Sequence, residues 1–493
     1  MEIKKINPKF EDLNTPEAFV NHIGKLTNAN LIPHTQILSK LLEQFKTVDF
    51  EALANPHGVD DFKLKRNHLL VLSIEEVFNV AKSNEWGLCK NHDFIYLYNG
   101  SYWSEVDKES FQKFLGEASE KMGIEKHTSR HYLFREQLYK QFLGTAYLEP
   151  KLALPNEVFI NLLNGTFEIN NKGTQLRPFN QLDFITYQLP FEYNPTAKAP
   201  LFEVYLNRVL PDKERQKVLA EYLGFVFVKH GNNRLKEEKA LILYGTGANG
   251  KSVFFEVVSA LLGSENTSNY SLQSLTNDNG YFRAKLANKL VNYASEINGK
   301  LESSIFKQLV SGEPVEARLP YGQPFTLKQY AKLIFNCNEL PKDVEHTNAY
   351  FRRFLIIPFD VTIPPEEQDK RLHNKIIENE LSGVFNWVLD GLHRLLEQKH
   401  FTECEAVNIA IEQYKKESDS VKMFLDDFEY KNSVDEYTKM VDLYRQYKSY
   451  CFEDGFKPVN KTNFKKRLSG YGVIFHRLNV GNVAYVSNGN PPF

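Results

Sequence analysis

The stretch "LILYGTGANGKSVFFEVVSALLG" (Leu241–Gly263) passes from an apolar run through a glycine loop into an apolar-periodic segment. Within it, Gly245-x4-Gly250-Lys251-Ser252 fits the phosphate-loop pattern G-x-x-x-x-G-K-[ST]. Such a loop presents backbone N–H groups to phosphate, and the helix after it adds the positive end of its dipole. Lys251 is placed to reach the β- and γ-phosphates, and the Ser252 hydroxyl to hold Mg²⁺. The expected nucleotide cradle is Gly245, Thr246, Gly247, Ala248, Asn249, Gly250, Lys251, Ser252 and Val253. A chain of this length meets the pattern by accident on the order of one time in fifty. A strand-like run before it and a helix-like run after it supply the context that the motif requires, so ATP and Mg²⁺ are the expected ligands of an α/β core.

Working outward, 493 residues suggest about two to four domains. With 42% hydrophobic and 25% charged residues, the composition is that of a globular chain with material for several cores. Sixty basic against 62 acidic residues leave a formal charge of −2, which excludes a globally basic nucleic-acid binder and leaves room for local basic surfaces. No apolar run approaches the ~18–20 residues that span a bilayer, and the start, MEIKKINPKFEDLN, has no secretory pattern. The four scattered cysteines read as reduced thiols, so a cytoplasmic location without membrane partners is expected. Cys89-x2-His92 and His127-x3-His131 lie in unlike local patterns without further cysteines, and no zinc site is expected there.

Upstream, residues 1–85 are mixed, a segment suited to a collar or to binding a partner. "FIYLYNGSYW" (Phe94–Trp103) and the run around Asn164-Gly165 each predict a hairpin, within an α+β unit expected over 86–199. "NPTAKAP" (Asn194–Pro200) marks a boundary, and helices are expected at Phe202–Val209 and, capped by Asp212, over Asp212–Lys229. The core is expected over 200–400, ending with a helix at Leu381–Gln398. Over 405–493 the order is helix Ser418–Phe428, helix Val434–Phe452, basic helix Lys461–Leu468, then two strands joined at Val480-Gly481-Asn482. That order is that of a winged helix-turn-helix, with Lys461, Lys465, Lys466 and Arg467 as candidate DNA contacts; a solvated basic face has the same pattern.

Downstream of the loop, "KLVNYASEI" ends an apolar run in Ser295-Glu296, where Glu296 could polarise water or hold the metal. "AKLIFNCNELP" ends a second run in Asn336 and Asn338, amides able to sense a γ-phosphate; Asn-x-Asn before Pro341 also serves simply to start a turn. "AYFRRFLIIPF" places Arg352 and Arg353 before a third run, where either could act at a neighbouring subunit's nucleotide. Between them, "KQLVSGEPVEARLPYGQPFTLKQY" predicts a projecting hairpin, with strands Val315–Leu319 and Phe325–Gln329. Lys307, Arg318, Tyr321 and Lys328 there are candidate single-strand contacts through phosphate neutralisation and stacking.

In this order the motifs resemble superfamily 3 helicases of the AAA+ class, and within them the helicase part of the primase-helicases of poxviruses, satellite phages, plasmids and mobile islands. "GTGANGKS", "LVNYASE", "KQLVSGEPVEAR", "LIFNCNELP" and "FRRFLIIPF" carry the resemblance, with "YLYNGSYW", "FINLLNGTFEI" and "FEYNPTAKAPLFEVYL" extending it upstream, over about residues 85–490. It implies an AAA+ P-loop core with an N-terminal α+β domain and a C-terminal winged helix-turn-helix domain. It also implies a ring, six copies by analogy, with Lys251, Ser252, Glu296 and Asn338 from one subunit and Arg352 or Arg353 from the next. ATP hydrolysis would then move the hairpin along one DNA strand, 3′ to 5′, in replication of such an element. Two features depart from the pattern. Ser295 stands where an acid often pairs with Glu296, and fewer than a hundred residues precede the resemblance, so no primase activity is expected and a loader or primase is a candidate partner. The alternatives are an ATP-regulated origin-binding initiator with little unwinding, and an NTPase acting on RNA or protein.

Overall fold

A computed structural model describes residues 32–91, 94–147, 157–231, 235–295, 297, 302–320, 322–341 and 344–488. At its centre five strands stand in the order Phe354–Pro358, Ala240–Tyr244, Lys332–Cys337, Val291–Ala294, Thr267–Ser268, every neighbouring pair parallel. These strands read as unbroken apolar runs because both faces of the sheet are covered. Side chains alternate across it: Leu241, Leu243, Ile334, Leu355 and Ile357 enter one core, and Ala240, Ile242, Phe335, Phe354 and Ile356 the other.

Helices Lys251–Leu262, Lys213–Phe225 and Leu381–Gln398 fill the first face. The last two pack closely because Gly391 lies against Ala220, where a β-carbon would come within 2.4 Å of its backbone carbon. Helix Pro200–Val209 starts on a proline, and the Glu380 carboxylate accepts from its Leu201 and Phe202 amides at 3.0 and 2.9 Å. On the second face sit helix Ser303–Ser311 and the stems of an antiparallel hairpin, Val315–Arg318 with Pro324–Leu327. Its strands are each shorter than the sequence predicts, because Arg318 already pairs with Pro324 and closes the loop.

The packing does not follow the expected boundaries. Helices His34–Gln44 and Arg66–Ser83 share a core with residues 86–146, so the line at 85 runs through one hydrophobic cluster. The meander Val158–Leu162, Gly165–Asn170, Gly173–Arg177 buries its apolar side chains with the first face of the central sheet, across the line at 199. At the other end, Val407 and Tyr414 of helix Glu405–Glu417 still belong to the central cores, and a separate cluster begins at Val421.

Three local expectations are corrected. The helix expected over Asp212–Lys229 ends at Phe225, where Phe227 and Val228 amides turn back to Gly224 and Phe225 carbonyls, although Asp212 is its cap. The helix expected from Val434 begins at Met440: Ser433 Oγ caps a turn at Asp435 and Glu436, and Thr438–Lys439 pair with Val483–Ala484. The terminal pair of strands is three, Phe475–Leu478, Gly481–Ala484 and Val486–Asn488, the last pairing with Tyr430–Asn432. No helix among the described residues is long and apolar enough to cross a membrane.

Candidate active site

Three neighbouring strands end together at Tyr244, Ala294 and Cys337, and their following residues meet at one edge of the sheet. The loop after Tyr244 turns on left-handed residues: Gly247 (φ 114°), Ala248 (φ 49°) and Gly250 (φ 84°). An alanine in this region costs about 1 kcal/mol, and the Ile363 amide holds it there by donating to Ala248 O at 2.7 Å. A β-carbon on Gly250 would meet Val209 at 2.7 Å, and Tyr205 donates to Gly250 O at 2.8 Å, so helix Pro200–Val209 fixes the loop from outside. Asn249 donates to Phe359 O at 3.1 Å and braces it from the last strand.

Lys251 is buried and its ammonium donates to two neutral oxygens, Gly245 O at 2.5 Å and Asn249 Oδ1 at 3.1 Å. Neither partner is a carboxylate, and burial holds its pKa below the usual lysine range. An unneutralised cation in a glycine loop at the start of a helix is a site for an anion. The cleft that opens there, about 820 Å³, is lined by Gly247, Ala248, Asn249, Gly250, Lys251, Ser252 and Val253, and by Ser295, Asn336 and Asn338. Of the predicted cradle, Gly245 contributes through its carbonyl and Thr246 lies outside the lining. Glu296 lies outside the described residues. The exposed Ser252 hydroxyl fits Mg²⁺, which takes one or two protein oxygens and completes its shell with phosphate and water.

The two asparagines differ. Asn336 is buried, its Oδ1 accepting from Tyr293 at 3.0 Å, whereas Asn338 is exposed in the cleft. The far wall of the cleft was not foreseen. It comes from Val204, Tyr205 and Arg208 on one side and Ile363, Glu367 and His373 on the other, with Arg208 and Glu367 paired at 2.7 Å. No local motif marks these residues, since they meet only after the sheet has formed.

Arg352 and Arg353 stand elsewhere. Their strand runs parallel to the phosphate-loop strand with Phe354 opposite Ala240 and Pro358 opposite Tyr244, so the pair sits at the amino edge. Five residues of strand place them about 16 Å from the loop. Arg353 is buried, donating to Ser311 Oγ at 2.9 Å and to Ala349 O, and pairing with Glu238 at 3.2 Å. Arg352 is 63% exposed and pairs with the same Glu238 at 3.0 Å.

Among the predicted DNA contacts, Lys307 is paired with Glu345 at 2.8 Å, and Arg318 Nε donates to Gly322 O at 2.9 Å, closing the hairpin tip. Lys328 is exposed and Tyr321 lies outside the described residues. In the C-terminal unit Lys461, Lys465 and Lys466 are exposed on helix Lys461–Gly470. Arg467 instead pairs with the buried Asp419 at 3.0 Å. Burial pushes the Asp419 carboxyl up, but Tyr471 and Arg467 outweigh it and hold it below its usual range.

Three family models match this chain. One described as "D5 N terminal like" covers residues 76–211, one described as "Poxvirus D5 protein-like" covers 416–475, and a "Family of unknown function (DUF5906)" covers 243–353, from the phosphate loop to the arginine pair. The chain is 27% identical over 163 residues to a "Putative helicase L207/L206" of Acanthamoeba polyphaga mimivirus, a match over 31% of this chain and 16% of that protein. Among solved structures, "The A form apo structure of NrS-1 C terminal region-CTR" aligns with 84% of this chain and 98% of its own at 12% identity, TM-score 0.46. "The apo structure of NrS-1 C terminal region (305-718)" aligns over the same shares at 14%, TM-score 0.42. The chain is thus similar to D5-like proteins on both sides of its central sheet, and to a putative helicase over about a third of its length.

Proposed function

We propose that this chain is one subunit of a ring-forming, ATP-driven DNA helicase of the superfamily 3 type, working 3′ to 5′ in replication of a virus, phage, plasmid or mobile island. The observation that carries the reading is the division of labour between the two edges of the sheet. The cleft at the carboxyl edge holds Lys251, Ser252 and Asn338, while the solvent-facing Arg352 stands at the amino edge, beyond reach of its own cleft. Such an arginine serves the nucleotide of the next copy in a closed ring.

In this reading the central unit is an AAA+ core, six copies to a ring. Lys251 and the loop amides bind the β- and γ-phosphates of the substrate ATP, Asn338 orients the attacking water and Glu296 accepts its proton. Ser252, assisted by Glu296, would hold Mg²⁺, which would supply neutralisation of phosphate charge. Arg352 stabilises charge developing in the neighbour's transition state, and Arg353 holds Arg352's turn in place by its bonds to Ser311, Ala349 and Glu238. The hairpin meets single-stranded DNA through Arg318 and Tyr321 at its tip and Lys328 at its root. Residues 420–488 form a winged-helix unit whose Lys461, Lys465 and Lys466 meet duplex phosphates.

The test is ATP-dependent unwinding of a forked duplex by the wild type beside Lys251→Ala. Strand separation by the wild type alone supports the reading. DNA-stimulated ATPase with duplex binding but no separation favours an origin-binding initiator, and ATPase indifferent to DNA overturns the DNA motor.

A further inference from the structure

Both ends of the hairpin meet a single residue, His230. On the outgoing side, Gly312 ends helix Ser303–Ser311 in the left-handed region (φ 70°), and a β-carbon there would lie 2.2 Å from His230 Nδ1. On the returning side, the Gln329 side chain bridges the His230 backbone, accepting from its N–H at 3.1 Å and donating to its carbonyl at 2.9 Å. The imidazole itself packs on Tyr330, with ring centroids 4.5 Å apart and Nε2 3.1 Å from Tyr330 O. Lys332 Nζ lies 3.0 Å from Nδ1, so the lysine donates there and Nε2–H donates to the carbonyl. Tyr330 closes the frame by donating to Glu313 O at 2.8 Å, across the stems.

His230 also follows a strut that begins at the carboxyl edge of the sheet. Helix Lys213–Phe225 starts at the carboxyl edge, where Arg215 donates to Pro358 O at 2.8 Å, one residue from the Phe359 carbonyl that Asn249 of the phosphate loop uses. Thirteen residues of helix span about 20 Å. Near its far end Tyr222 donates to Leu333 O at 2.7 Å and to Lys239 O at 3.1 Å, tying it to the amino edge of the sheet. Tight turns from Phe225 to Val228 then deliver His230 to the hairpin root. The strut is buried from Val218 to Phe225 and braced by Arg394, which donates to the buried Glu221 at 2.6 Å. A packed helix of this kind moves as a body, because interiors at crystal density transmit displacement rather than absorb it.

We propose that His230 is a positioning residue that couples the nucleotide cleft to the hairpin, the strut Lys213–Phe225 carrying motion from the phosphate loop to both hairpin stems. This rests on the helicase reading for its consequence, DNA movement, but the coupling itself is readable without DNA. Gly312 is glycine in this frame because no side chain fits between the stem and the imidazole, and Gln329 is the latch on the opposite stem.

The experiment uses the full chain, with His230→Ala, His230→Gln and Gln329→Ala beside the wild type. Basal ATPase is expected to stay within about twofold, since none of the three lies at the cleft, while DNA-stimulated ATPase and unwinding fall about tenfold. His230→Gln, which keeps a donor for the Tyr330 carbonyl, is expected to recover part of the loss. Amide hydrogen exchange supplies the arm that does not depend on DNA: ATP should change protection of residues 313–320 and 322–330 in the wild type and leave it unchanged in His230→Ala. If ATP changes hairpin protection equally in both, or in neither, the coupling is overturned whatever the DNA assays give. A wild type without DNA-stimulated ATPase but with ATP-dependent hairpin protection lost in the variant removes the helicase reading and keeps the coupling. Should His230→Ala fail to fold, the exposed Gln329→Ala decides by the same exchange criterion.

Discussion

The two edges of the central sheet are built by opposite means. At the carboxyl edge the chemistry is nearly continuous in sequence: the residues from Gly247 to Val253 line one wall, their turn set by left-handed residues and braced from outside by Tyr205, Phe359 and Ile363. At the amino edge the contributions come in ones and twos. His230, Glu238, Ser311, Gly312, Gln329, Lys332 and the two arginines arrive from separate segments. The difference shows most clearly in two adjacent residues. Arg352 and Arg353 are chemically identical and share Glu238, yet one faces solvent and the other is locked among backbone and hydroxyl oxygens.

The contrast predicts a graded set of losses. Lys251→Ala should remove turnover, since no other residue of the loop from Gly245 to Val253 carries a positive charge; steady-state ATP hydrolysis above background would break the assignment of the carboxyl edge. Arg352→Ala should lower kcat on the order of a thousandfold, the usual worth of an arginine finger, with an unchanged melting temperature and poisoning of mixed rings. Arg353→Ala should do the reverse in emphasis. It leaves Glu238 and Ser311 without their buried partner, and urea unfolding should show a loss of about 2 kcal/mol. Equal kinetic and stability effects for the two would erase the distinction between them.

A subtler effect concerns Lys332. Burial pushes its ammonium down to about 7, against about 10.4 for a free lysine. Between these values the unfolded chain carries a proton that the folded chain has shed, so its contribution to stability grows as pH rises from about 7 toward 10 and is lost as pH falls through 7. Comparison of urea midpoints for wild type and Lys332→Met at pH 6.5 and 9.5 isolates this contribution. The wild type should gain relative to the variant at the higher pH, and parallel profiles would place the lysine's charge elsewhere.

Smallest of all, Arg318→Ala should loosen the hairpin tip by about 1 kcal/mol or less, because its bond to Gly322 O is exposed. Its effect should appear in exchange of the Gly322 amide while ATPase without DNA is unchanged.

Legibility followed locality. The hairpins at Asn99-Gly100 and Asn164-Gly165 and the helix Leu381–Gln398 were readable because turn chemistry and a 3.6-residue apolar period act over a few residues. The Asp212 cap was readable for the same reason, but the end of its helix was not, since the turns at Phe227 and Val228 break an apolar run that reads as helical. Thr438–Lys439 pair with a strand more than forty residues on, and no short-range pattern announces that. Tyr205, Arg208 and Glu367 carry no motif at all, because their place in the cleft is set by how helix Pro200–Val209 meets the segment after Phe359.

The sequence by itself determined the phosphate loop, the apolar strands that must lie side by side in a covered sheet, and the order in which polar residues end them. Those are properties of backbone conformation and of side-chain period, both settled within a dozen residues. Only the tertiary structure decided which arginine is exposed, which of the two asparagines in the cleft is buried and that one histidine meets both ends of a hairpin. Each of those depends on burial and on partners distant in sequence, and neither exists until the sheet has closed around its two cores.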